Sequence, residues 1–291
     1  MLTTIYIAPY LMYMRNSFMV SRLLVLLLFV TFSFSAKSQL QETFSHNGEF
    51  GFSVGLGHYF GDLDPNVALD HSKVAFGVFY SKQFGNYVSL KASVNYAALG
   101  YSDAYSKNLW QKQRNLSFDS DVWEFSLSGN FNFFKFYPEI AEFRFTPYIS
   151  LGIGAMTFNP YASMSGNTYF LRSMKTEGQS SPYSNVAVVA PLGMGVKYNV
   201  SDNVNVFAEL IYRFTSTGYL DDVYGVYADP SAKNFPNDAS LHLQDRSYQY
   251  GIFHKAGEQR GNSRNDSYAT FQVGLSFNIE GYHCPMKPLL Y

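Results

Sequence analysis

"WEFSLSGNFNF", Trp123–Phe133, is the stretch on which the fold turns. Its odd-numbered residues are Trp123, Phe125, Leu127, Gly129, Phe131 and Phe133. Its even-numbered residues are Glu124, Ser126, Ser128, Asn130 and Asn132. Successive side chains of a strand point to opposite faces, whereas an amphipathic helix needs an apolar stripe with a period near 3.6 residues. The stretch therefore reads as a strand with one apolar face and one polar face.

Seven further runs share the pattern: 49–60, 74–81, 87–97, 145–158, 189–200, 204–214 and 269–279. In the first, Phe50, Phe52, Val54 and Leu56 oppose Gly51, Ser53, Gly55 and Gly57. Each run is close to the length of a bilayer-crossing strand tilted near 45°. A soluble β-sandwich can alternate in the same way, so the links must decide. Those after the second, fourth and sixth strands are short, and those after the first, third, fifth and seventh are longer and polar. Short turns at one end and long loops at the other mark an outer-membrane barrel. The expected fold is all-β: an eight-stranded antiparallel transmembrane barrel, an up-and-down meander with long extracellular loops. Phe60, Tyr80, Tyr96, Trp123, Tyr212 and Phe214 are expected near the outer rim, and Tyr87, Phe131, Phe133 and Tyr198 near the inner rim. The Trp123 face then meets lipid and the Glu124 face a crowded polar interior.

Composition agrees. Aromatic residues make up 18% of the 291-residue chain and charged residues only 15%, against about 25% charged in average proteins. The 21 basic and 22 acidic residues show no basic tract, which gives no reason to expect a nucleic-acid partner. The mean hydropathy is slightly negative, which excludes a bundle of membrane helices. Near the N-terminus, Arg15 and Arg22 precede an apolar run, Leu23–Phe34, and then Ala36, Lys37 and Ser38. That order is a secretory signal peptide, so residues 1–38 are expected to be a leader cleaved before Gln39. Residues 1–13 form an upstream extension if Met14 or Met19 is the true start. A single anchor helix is the competing reading. The barrel then spans 39–279 and a short periplasmic tail 280–291, with both termini periplasmic. The single cysteine, Cys284, excludes a cysteine-based zinc site and is expected to be unpaired, with an intermolecular disulfide as the alternative.

Five charged side chains, Lys91, Glu124, Lys197, Glu209 and Arg213, fall on the inward face. They are expected to pair and stopper the lumen, since eight strands leave room only for side chains; the alternative is an ion path. Inward glycines such as Gly51 and Gly195 leave room for large neighbours such as Tyr59 and Tyr148. Acidic pairs stand at Asp62/Asp64 and Asp221/Asp222. Such oxygens can hold Ca²⁺, but Asp is also an ordinary turn residue, and no metal or cofactor site is assigned. The histidines lack metal spacing, His71 and His254 fall in loops, and no G-x-S-x-G elbow occurs. His58 alone stands by the outer wall, where a lipid-modifying enzyme would need it. No catalytic residue is assigned and the chain is read as a non-enzyme. In the last strand, Gln272, Gly274, Phe277 and Ile279 resemble the signal read by the outer-membrane insertion machinery.

The most distinctive stretch is "FTSTGYLDDVYGVYADP", Phe214–Pro230. With "YFGDLDP" (Tyr59–Pro65), "QRGNSRNDSY" (Gln259–Tyr268) and the terminal Cys284–Pro285, it resembles a family of small Bacteroidota outer-membrane barrels that includes PorG, a type IX secretion component. The resemblance spans roughly residues 47–286. Gly218 stands where that family usually has Asp, and Tyr224 where it has Ser. The resemblance implies a barrel that anchors or adjoins a periplasmic ring lipoprotein or other secretion subunits. It singles out Tyr219, Leu220, Asp221, Asp222 and Val223, which either fold the last loop over the barrel mouth or touch a partner. The functional expectation is a scaffold or accessory subunit of type IX secretion or gliding; the alternative is a narrow porin or small-ligand-binding barrel.

Overall fold

The structure is a computed structural model and describes residues 46–64, 71–85, 87–136, 141–201, 203–231 and 234–280. The expected leader, the tail beyond Glu280 and Cys284 lie outside these residues.

Among the described residues ten strands occur in chain order: β1 (His46–Phe60), β2 (Lys73–Gln83), β3 (Val88–Ser102), β4 (Ser117–Asn132), β5 (Phe145–Thr157), β6 (Tyr161–Met164), β7 (Asn167–Phe170), β8 (Val186–Ser201), β9 (Val204–Thr215) and β10 (Ser267–Glu280). Eight form the wall. Their order is β3-β2-β1-β10-β9-β8-β5-β4, and β3 pairs with β4 to close the circle. Every pairing is antiparallel, and β1 meets β10 from Gly48 opposite Ile279 to Phe60 opposite Ser267. The expected eight-stranded antiparallel meander is therefore the fold. Closure satisfies the backbone donors and acceptors of both edges, which hydrocarbon could not do.

The two faces of the wall are inverted relative to a water-soluble protein. Phe125 is 54% exposed while Glu124, Ser126 and Ser128 are buried. Each strand repeats this outward exposure, at Phe52, Val78, Val94, Leu151, Met194, Leu210 and Val273. A continuous apolar belt of this kind far exceeds the patches tolerated on soluble monomers; it is the band a barrel presents to lipid. Inside, small residues make room for rings. A Cβ at Gly195 would lie 2.5 Å from the Tyr148 ring, and one at Gly51 2.5 Å from the Phe79 ring.

Aromatic residues collect at both ends. Phe76, Tyr96 and Trp123 form one cluster and Phe60, Tyr212 and Phe214 another at the loop end. Tyr87, Phe131 and Phe133 gather at the turn end. Tyr80 departs from expectation: it sits opposite Phe50 at the start of β1, so it belongs to the turn end. β2 runs back towards the short turns, which places its last residues there.

Two further departures concern the loops. β3 and β4 stay paired as far as Ser102 opposite Ser117, well beyond the alternating runs. The extension carries Gly100, Asp119 and Asp121, because a strand that has left the lipid no longer needs an apolar face. The loops are also built. They hold the β6–β7 hairpin and three short helices, α1 (Leu109–Arg114), α2 (Leu171–Met174) and α3 (Asp238–Gln244). The Asn108 side chain caps α1 by accepting from the Trp110 amide at 3.0 Å, and Asn237 caps α3 through the Ser240 amide at 3.0 Å, each satisfying a donor that the first turn leaves open.

Candidate functional site

Among the described residues three ion pairs cross the lumen, and each joins strands that are not neighbours in the wall. Lys91 on β3 reaches Glu209 on β9 at 2.8 Å. Arg213 on β9 reaches Glu124 on β4 at 2.5 Å. Lys197 on β8 reaches Glu49 on β1. The five residues singled out in the sequence are thus joined by a sixth, Glu49. Its parity on β1, inward with Gly51 and Ser53, is the signal that would have found it.

Each carboxylate has further donors, as a buried charge requires. Glu209 accepts from the Tyr148 hydroxyl at 2.9 Å. Glu124 accepts from Tyr268 at 2.6 Å and Ser126 at 2.8 Å. Glu49 accepts from Ser276 at 2.7 Å and Asn205 at 3.2 Å. Between the Lys91–Glu209 and Arg213–Glu124 braces a cavity of only about 10 Å³ remains, scarcely the space of one water. The braces tie opposite walls together across the bore.

Above this plug the four long loops fold into a cap, and the Tyr219–Val223 stretch is its centre. Leu220, Asp221, Asp222 and Val223 are all buried, and Tyr219 is half-buried. Tyr219 stacks on Tyr183 with ring centres 4.4 Å apart. The Tyr59 hydroxyl donates to Asp221 at 2.5 Å and lies 3.2 Å from Asp266. Asp221 also accepts from the Val223 amide at 2.8 Å, and Asp266 from the Leu220 amide at 3.0 Å. Asp222 occupies the left-handed region at φ 67°, which Asp tolerates better than most residues. Its carboxylate accepts from Tyr183 at 2.8 Å and from Thr176.

Two arginines tie the remaining segments together. Arg260 donates to Glu177 at 3.0 Å, to the Asp222 carbonyl at 2.5 Å and to the Gln244 carbonyl at 3.1 Å. Glu177 in turn accepts from the amides of Tyr224 and Gly225 at 2.8 and 2.9 Å. Arg114 grips Asp103 with two donors at 2.8 and 2.7 Å and reaches the carbonyls of Arg260 and Asp62. Asp62 accepts from the Asn262 amide at 3.0 Å. The motif thus holds the loops to one another, and burial leaves its Leu-Asp-Asp-Val core no outer surface. Gly218 and Tyr224, noted in the sequence for their residue types, also meet here. A Cβ at Gly218 would come 2.4 Å from the Tyr224 ring and 2.3 Å from the Arg264 carbonyl, so the ring occupies space that a residue 218 side chain would need.

The cap is rich in acids held away from water. Burial, then the Asp62 charge, pushes Asp221 up to about 8. Burial, then the Asp221 charge, holds Asp266 well above the carboxylate range. Burial raises Asp222 and Asp62 each to about 6. A carboxyl whose folded value is raised binds its proton more tightly folded than unfolded. Its contribution is complete below the unfolded value near ~4 and is lost as pH rises through the folded value. Protection of the backbone amides in the 216–266 loop, corrected for intrinsic exchange, should therefore fall from about pH 5 to about pH 9 while the wall stays protected. Asp221→Asn should flatten that dependence; equal protection at both ends of the range in the unsubstituted protein would contradict it.

Among the described residues no group of three or more His, Cys, Asp or Glu side chains could hold a metal ion. Two serine–histidine–aspartate groups lack the geometry of a nucleophile relay. Ser247 and Asp245 both approach the same nitrogen, Nδ1 of His254, at 3.2 and 3.1 Å. His58 has Ser72 at 3.3 Å from Nδ1 and Asp64 at 3.1 Å from Nε2, but the Asp64 contact is not aligned as a hydrogen bond. His58 keeps the outward parity of β1, packed against the Phe60 ring at 4.8 Å, but it is only 5% exposed, with Asp64 and Ser72 against its two ring nitrogens.

No curated protein matches the sequence. Among solved structures, Neisserial surface protein A (NspA) aligns over 80% of this chain and 97% of its own, at 10% identity and a TM-score of 0.41. OprG from Pseudomonas aeruginosa aligns over 82% and 99%, at 12% identity and a TM-score of 0.41. The outer membrane enzyme PagL aligns over 78% and 97%, at 11% identity and a TM-score of 0.31. None of these likenesses bears on what the chain does. The profile of the family described as Domain of unknown function (DUF6089) matches residues 21–238, from before β1 to the start of α3 and so without β10, and the chain belongs to that family.

Proposed function

We propose that the protein is a non-enzymatic outer-membrane scaffold, an accessory subunit of the type IX secretion or gliding machinery. The observation that carries the scaffold reading is the doubly sealed barrel: cross-lumen ion pairs fill the bore and a buried loop knot lies above it. Between its braces such a barrel keeps no solute-sized space, so its work falls to its loop and turn ends on a rigid wall. The apolar belt supports residence in the outer-membrane lipid; the further reading is that both termini are periplasmic. The secretion role rests on the Leu-Asp-Asp-Val stretch and its companion motifs. Its partner would be a periplasmic ring lipoprotein or neighbouring secretion subunits, met at the turn end. A narrow porin is disfavoured by the roughly water-sized residual cavity.

The test has two arms. In planar bilayers the purified protein should give no steady open level; a reproducible unit conductance would replace the scaffold reading with the porin. In crosslinked pull-downs from outer membranes it should recover a periplasmic ring lipoprotein. Recovery of lipid and unrelated barrels alone would remove the secretion role and leave the scaffold.

A further inference from the structure

A second site lies outside the plug and the cap. β2 pairs with β3 only from Ala75 opposite Ala97, whereas β3 runs on to Ser102. Beside the β3–β4 extension, where β2 has not yet begun, a cleft of about 500 Å³ opens at the loop end. That volume lies within the range of small-ligand sites.

One side of the cleft is aromatic. The His71 and Tyr105 rings stack at 3.8 Å with planes 15° apart. Tyr101 meets them edge-on, at 5.7 Å from His71 and 5.8 Å from Tyr105. Tyr105 is nevertheless 56% exposed. The short turn that carries it is anchored by the buried Arg114–Asp103 pair, so the exposed ring is held rather than loose. The other side is polar. Lys73 and Asp119 form an ion pair whose side chains remain 38% and 44% exposed, and Ser102 and Ser117 lie alongside. Gly100 lies beneath this pair: a Cβ there would lie 2.5 Å from the Lys73 ammonium and 2.4 Å from the Asp119 carboxylate.

We propose that this cleft binds a neutral saccharide unit. A sugar ring presents an apolar C–H face and a rim of hydroxyls. The stacked rings supply a flat apolar surface for the first. The Lys73–Asp119 pair and the serines supply donors and acceptors for the second. The cation and the carboxylate cancel, so the site does not favour phosphate, sulfate or a cation. The sugar could be the headgroup of a glycolipid in the same leaflet or part of a free glycan, since the recognised chemistry is the same.

The full-length protein in lipid nanodiscs is the material for the test, with saturation-transfer NMR against maltose, lactose and cellobiose. A sulfated disaccharide serves as the anionic comparison. At least one neutral sugar should show transfer. Tyr105→Ala should weaken it about 10-fold or more, a loss of ring stacking read as an affinity change. Gly100→Val should abolish it by displacing the Lys73–Asp119 pair that lies over residue 100. Retained gel-shift behaviour, together with loops as resistant to limited proteolysis as the parent's, shows that each variant is folded at both wall and loops, and Lys73→Met, which leaves the rings in place, gives a second reading from the polar side. Nanodiscs with and without a neutral glycolipid separate the sources. Competition by the glycolipid identifies a membrane headgroup, and its failure with the free sugar still bound identifies a free glycan. Transfer from none of the neutral sugars, transfer from the sulfated sugar alone, or transfer unchanged in both Tyr105→Ala and Gly100→Val would overturn the proposal.

Discussion

Arg213→Leu should destabilise the barrel by roughly 3–5 kcal/mol, the cost of removing one partner of a buried ion pair. The substitution strands the Glu124 carboxylate, which is 2% exposed and keeps only the neutral donors Tyr268, Ser126 and Asn95. It also removes the donor to Thr270 at 2.7 Å. The double variant Arg213→Leu/Glu124→Leu should recover most of the loss, because neither side then carries a charge without a partner; replacing such pairs by apolar groups is often neutral or stabilising. Urea unfolding in lipid vesicles, followed by loss of the gel shift, measures both. A single variant within about 0.5 kcal/mol of the parent, the range of an ordinary surface change, would show that Arg213 is not a brace. A double variant worse than the single would show that burial of charge is not the source of the cost.

A different unit should fail when Arg260 is replaced. Arg260 is 2% exposed and serves Glu177, the Asp222 carbonyl and the Gln244 carbonyl from one planar group. In Arg260→Ala, Glu177 and Asp222 lose this shared cation, and the loss to the cap should again be about 3–5 kcal/mol. The wall does not depend on these contacts, so the damage should be local. Limited proteolysis should cut within the 216–266 loop while the barrel keeps its gel shift and its urea midpoint. Arg260→Lys should not rescue, because an ammonium cannot reproduce the three-way planar reach. Uncut loops in Arg260→Ala, or collapse of the wall with the cap, would show that cap and barrel are not separable in this way.

Much of this molecule was legible in its strands. Alternation such as that of Trp123–Phe133 is enforced by lipid on one side and a crowded lumen on the other, and a strand between two unlike media must declare both. The five inward charges at Lys91, Glu124, Lys197, Glu209 and Arg213 followed from the same parity. Glu49 followed from it too, but it stands at the head of its run, where a two-residue period has little to either side to fix it. Tyr80 was misplaced for a simpler reason: the direction of travel reverses at every turn.

The cap and the cleft were not legible. Loop residues face no uniform medium, so no period marks the β6–β7 hairpin, the β3–β4 extension or the contacts of Asp64 and Ser72 with His58. The Leu-Asp-Asp-Val stretch could be noticed as a motif, but nothing local says that it is buried beneath Tyr183 and Arg260. By itself the sequence determined the wall, because each strand's two faces answer to solvents present along its whole length. Only the tertiary structure decided which charges meet across the bore and how four loops knot above it, because those pairings join residues up to 207 positions apart through contacts that leave no local pattern.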